Sequence, residues 1–182
     1  MSYVELIVVL SIFAIMSAIV SFNYGAFQAK VDIKSLASDI ALKIVEAQKS
    51  SLSGLQSTSF AGSLKPSFGV YFDTSTSNQF IYFADLNNNN AFDPITETLQ
   101  TIAIPKNDTI SKIESCVGAR VVCTQLPSPL AITFSRPSSN AVLYSGGVIL
   151  AGVSYVQITI VAPNGTSSAL IKIYPSGRIQ VN

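Results

Sequence analysis

Glu5 is the only charged side chain among the first 29 residues, and it stands directly before an apolar run, Leu6 to Val20, interrupted only by Ser11 and Ser17. A carboxylate in such surroundings does electrostatic work. Taken to the middle of a bilayer it costs at least ~2.5 kcal/mol, so it calls for a cation to compensate it. The α-amine at Met1 of a second copy of the chain meets that need and would fix the axial step between two copies. The alternatives are the chain's own amine four residues away, or the positive end of its own helix.

Three further groups of residues could carry chemistry. Asp85, Asn87, Asn89 and Asp93 occupy relative positions 1, 3, 5 and 9 of a loop, with the Ala91 carbonyl at 7, the order in which an EF-hand-type loop offers hard oxygens to calcium. Position 6 is Asn90 where glycine is expected, position 12 is Thr96, and Glu97 falls one residue late. Asn90 tolerates left-handed dihedrals. The same residues also read as an Asn-rich hairpin turn capped by its own side chains, so a calcium site and a self-capped turn both stand. Cys116 and Cys123 are close enough in sequence to close a small loop as a disulfide, which implies an oxidising setting; two buried thiols are the alternative. Residues 131–182 hold Arg136, Lys172 and Arg178 and no acid, a small basic surplus that would let Arg178 touch DNA or else decorate a solvated sheet face.

The inventory also excludes. With no histidine and no tryptophan, His-based triads, His general bases and His-containing zinc sites are absent, and no nucleophile–base pair emerges, so a non-enzymatic role is expected. A net charge of +1 gives no general case for nucleic acid, and DNA is not expected as the principal partner. Asn107-Asp108-Thr109 and Asn164-Gly165-Thr166 match glycosylation sequons, which in predicted turns read as turns.

These residues need elements to position them. After Phe22 the pattern turns amphipathic, with Ile33, Leu36, Ala37, Ile40, Ala41, Ile44 and Ala47 at three- and four-residue steps and Asp39–Lys43 as an i,i+4 pair on the other side. No proline precedes Pro66 and Gly54 is a stop signal, so Met1 to about Ser53 reads as one helix of roughly 80 Å. Residues 1–24 would span a membrane or sit in a filament core, and lacking a basic n-region and a small-residue cleavage site they read as retained in the mature chain. Residues 55–182 read as a β-rich head, large enough for one core. Period-two runs predict strands at 68–72, 80–84, 99–104, 119–123, 130–134, 147–150, 155–161, 169–174 and 178–181, paired antiparallel by short turns. The expected fold class is α+β: a long N-terminal helix, apolar in its first half, packed by its second half on an antiparallel β-sheet.

Glu5 followed by LIVVLSIFAIMSAI resembles the start of mature type IV pilins and type II secretion pseudopilins, with the acid at the family's fifth position. DLNNNNAFDPITETLQTIAIP at 85–105, ITFSRPSS at 132–139 and the terminal SGRIQV are similar to the GspH/FimT-type branch. The resemblance implies removal of a leader by a prepilin peptidase, N-methylation of Met1, handling by an inner-membrane assembly platform, and self-assembly, alone or with other pilins, into a helical filament exposed on a bacterial surface. Such filaments serve adhesion, motility, DNA uptake or secretion. Met1 stands where the family usually has Phe, and Phe22 where a proline is common, which leaves Gly25 as the weak point of the helix. Some FimT-like minor subunits, located at the filament tip, bind DNA through Gly-Arg followed after one residue by a second Arg; here Gly177-Arg178-Ile179-Gln180 lacks that second Arg.

Overall fold

The three- and four-residue apolar spacing is realised as one face of a helix, α1 (Tyr3–Ser53), and Ile33, Leu36, Ala37, Ile40, Ile44 and Ala47 are all buried along it. The computed structural model of the chain describes residues 2–54, 66–118, 121–163, 165 and 167–182, leaving aside the side chains of Val20, Phe22, Asn23 and Ala26. The backbone is helical through Gly25. It stops at Gly54, whose φ of 68° lies in the left-handed region that closes helices and whose N–H returns to the Ser50 and Ser51 carbonyls. The Arg136 guanidinium sits beside that glycine, placing a cation at the negative end of the helix dipole.

Among the described residues eleven antiparallel strands follow: β1 (Ser67–Phe72), β2 (Gln79–Asp85), β3 (Thr98–Ala103), β4 (Thr109–Val117), β5 (Val122–Gln125), β6 (Leu130–Phe134), β7 (Ala141–Ser145), β8 (Val148–Ile149), β9 (Tyr155–Val161), β10 (Ser168–Ile173) and β11 (Ile179–Val181). The coarse expectation, α+β with antiparallel pairing, is met. The expectation of one sheet is corrected to two: a six-stranded sheet in the order β3-β2-β1-β6-β7-β8 and a five-stranded one in the order β11-β10-β9-β4-β5. Short turns dictate hairpins, but they do not say which hairpins share a ladder. The chain leaves the first sheet after β3, builds β4 and β5 in the second, and returns for β6.

Helix α1 lies against β1 and β6 of the first sheet and β9, β10 and β11 of the second, so its buried stripe is shared by both. Phe68, Val70, Phe72, Leu130, Ile132 and Phe134 meet it from one side, Ile158, Ile160, Ile171 and Ile173 from the other, within one hydrophobic cluster. Gln48 reinforces the seam, its amide donating to the Ser139 carbonyl at 2.8 Å and the Gly177 carbonyl at 3.2 Å.

Two strands escaped the sequence pattern. β4 has its apolar residues Ile110, Ile113 and Cys116 three apart because the register shifts between Ile110 and Lys112, and a bulge destroys the period of two. In β7 the inward positions include Ala141 and Ser145, too small and too polar to announce a buried face. The strand expected at 119–123 begins at Val122; Ala119 and Arg120 lie outside the described residues.

Candidate functional site

The described apolar side chains in the first half of α1 are exposed. Tyr3, Val4, Leu6, Ile7, Val8, Val9, Leu10, Ile12, Phe13, Ile15, Met16 and Ile19 are each about half exposed or more and point in every direction around the axis. Glu5 lies in the first turn, also exposed, and its backbone N–H returns to the Ser2 carbonyl at 3.0 Å. Among the described residues Glu5 makes no ion pair. Met1, the expected partner, lies outside the described residues. Among the described residues no helix is long and apolar enough to cross a membrane.

Where α1 leaves the head, a contact that sequence reading missed ties the two together. Lys106 donates to Asp32 at 2.6 Å, and Gln28 donates to the same carboxylate at 3.1 Å. The hydrogen bond from Lys106 holds the Asp32 carboxyl below the usual range. Lys106 adopts a φ of 59° to reach it, a conformation uncommon for lysine. Pro105 to Asp108 is legible as a turn, but a pair 74 residues apart leaves no local signal.

The loop between β2 and β3 is built on two buried carboxylates. Asp85 accepts N–H bonds from Asn89 at 3.2 Å and Asn90 at 2.9 Å, and Glu97 accepts them from Leu86 at 3.1 Å and Asp93 at 2.9 Å. Asn87, Asn89 and Asp93 each accept the N–H two residues on, at 2.8–3.0 Å. Asn90 has the left-handed φ of 62° that its place in the turn requires, and its amide oxygen accepts the Thr133 hydroxyl at 2.9 Å. The side chains of Asp85, Asn87, Asn89, Asp93 and Glu97 thus each accept at least one of the loop's own N–H groups. Among the described residues no group of three or more Asp, Glu or Cys side chains is placed to hold a metal ion.

Burial pushes the carboxyl groups of Asp85 and Glu97 above the ordinary carboxylate range, against the N–H bonds they accept, and the charge of Asp85 pushes Glu97 up further. An acid whose folded value is raised favours folding while it is protonated. That contribution is complete below the unfolded value of about 4 and is lost as the pH rises through the raised folded value. Glu97→Gln removes one of the two titrations. The melting temperature of wild type minus that of the variant, followed by circular dichroism, is therefore expected to fall as the pH rises from about 4 towards neutrality; a flat difference would sink the assignment.

Cys116 and Cys123 face each other across β4 and β5 and form a disulfide with an S–S distance of 2.04 Å. Closing so short a loop stabilises the head by about 2–3 kcal/mol in the chain-entropy account. The basic residues of 131–182 divide. Arg136 is at the end of α1, whereas Lys172 and Arg178 share one face of the second sheet with two tyrosines. Arg178 lies 4.1 Å from the Tyr174 ring, Lys172 lies 5.0 Å from the Tyr155 ring, and the two rings are 5.4 Å apart. Arg178 also donates to Gln180 at 3.1 Å. Asn107 is in the turn before β4, and Asn164 and Thr166 lie outside the described residues.

Compared with known proteins, the chain matches no family model, no curated protein and no solved structure.

Proposed function

We propose that the chain is a non-enzymatic structural subunit of a type IV pilus or related pseudopilus, held in a bacterial inner membrane by α1 before assembly and in the core of an extracellular filament afterwards. The observation that carries the reading is one helix with two surfaces: its second half buries one face against the head, and the described apolar side chains of its first half stand exposed to whatever surrounds the chain. A helix apolar all round is stable only when surrounded. Lipid covers it in the monomer, and the same helix of neighbouring copies covers it in the filament, where the neighbour's Met1 amine compensates Glu5. A prepilin peptidase and an assembly platform would supply the mature, methylated terminus and the directed stacking.

The basic tyrosine patch of Lys172 and Arg178 favours a second reading, a minor tip subunit that contacts DNA or another surface ligand. The two readings share the helix and differ in abundance within sheared filaments.

The direct test is removal of the bare segment. Deleting residues 1–28 is expected to leave a monomer in detergent-free buffer that keeps the head's melting transition, while the full chain sediments as assemblies unless detergent is present. A full chain that stays monomeric without detergent would refute the proposal.

A further inference from the structure

The face of the six-stranded sheet turned away from α1 carries a cleft that the helix-based reading does not use. Its floor is Ala131 on β6, which pairs with Tyr71 on β1 to one side and with Tyr144 on β7 to the other. With strands about 4.8 Å apart, the two tyrosines stand about 10 Å from each other across the alanine. The β2–β3 loop folds over this face and sets Phe92 as a wall, its ring 4.6 Å from Tyr71 and 5.2 Å from Phe83. Pro129 and Gly147 complete the rim of a cavity of about 320 Å³. A side chain at Gly147 would stand in open space, and its φ of 87° keeps the position for glycine, so that end stays open.

The lining has a definite chemistry. None of its residues is charged. Asp73, the acid beside Tyr71, is engaged by the Ser75 N–H and hydroxyl and by the Ser128 hydroxyl at 2.6–2.8 Å. The phenol oxygens of Tyr71 and Tyr144, both half-buried, have no hydrogen-bond partner among the described residues. Burial and the Asp73 charge push the Tyr71 phenol up, which keeps it protonated and able to donate.

We propose that this cleft binds a neutral saccharide ring. An ion would lose its hydration with no counter-charge to replace it, and a purely apolar ligand would bury two phenol hydroxyls unpaired. A sugar ring avoids both costs: its C–H faces pack on tyrosine, phenylalanine and proline, and its edge hydroxyls both donate to and accept from the phenols. The same buried carboxylates that close the β2–β3 loop hold the Phe92 wall in place, which gives the loop a binding role without an ion.

The test is saturation-transfer NMR on the full chain in a phosphocholine detergent, whose headgroup carries no sugar, with cellobiose, maltose and N-acetylglucosamine as probes. Saturation is expected to reach the ring C–H protons of at least one probe. Tyr71→Phe and Tyr144→Phe keep the rings, and hence the packing, and are each expected to weaken that binding about fivefold. The proposal is overturned if none of the three sugars receives saturation, if both variants bind like wild type, or if an N-acetylated polyproline peptide, whose prolines carry no N–H and so accept from the phenols without donating, binds this cleft in place of the sugars.

Discussion

Glu5→Ala is expected to abolish filaments while leaving the folded head untouched. Breaking one partner of a buried charge pair costs ~3–5 kcal/mol, much of it from the charge left behind. The low end is already a hundredfold or more in association at each contact. On the proposed assembly every subunit added to a filament would make the contact, so the loss would recur at every step. The head is insulated from the change because Glu5 is exposed and the buried stripe begins at Ile33. Filament yield by sedimentation and electron microscopy should collapse, while helix content and the head's melting temperature stay at wild-type values. Glu5→Gln separates charge from shape: it keeps size and hydrogen bonding, and it too should fail if compensation of the Met1 amine is the role. Normal yield in either variant would remove Glu5 from the assembly contact.

Ile40→Ala is expected to cost the head about 2–5 kcal/mol, where Leu42→Ala costs less than 0.5. The two positions are two residues apart on one helix and lie on opposite faces. Ile40 is 1% exposed and Leu42 is 66% exposed. Because α1 is packed by both sheets at once, trimming Ile40 leaves a void that neither sheet can close without leaving the other. Denaturant unfolding of the two variants reads the difference directly. Equal losses would mean that the helix is an appendage of the head and not part of its core.

How far the sequence carried these assignments depends on how local their signals are. The helix and its stop were legible because a 3.6-residue period and Gly54 are properties of a few neighbouring side chains. So were the β9–β10 and β10–β11 hairpins, whose turns carry Pro and Gly between alternating runs. The division into two sheets was not legible, since ladders such as Phe68 with Phe134 pair residues far apart in the chain. Of the candidate sites, the facing cysteines announced themselves by spacing, and Glu5 by its isolation. In the loop from Asp85 to Glu97 the acids and amides were visible, but the direction each oxygen takes was not: Glu97, one residue late for an EF-hand, is buried along with Asp85 and accepts two of the loop's N–H groups. The cleft was invisible because Tyr71, Ala131 and Tyr144 come from three strands and are united only by register. The pair Lys106–Asp32 was hidden in the same way.

The shared stripe on α1 also sets how the molecule carries tension. The buried residues from Ile33 to Ala47 run along the helix axis for about 20 Å, flanked by a sheet on either side. A pull on the head directed along that axis loads all of these contacts together, in shear, and none can yield before the others. A sideways pull would peel them one turn at a time. The head is therefore mechanically strong along the helix and weak across it, a directional resistance that needs no additional bond.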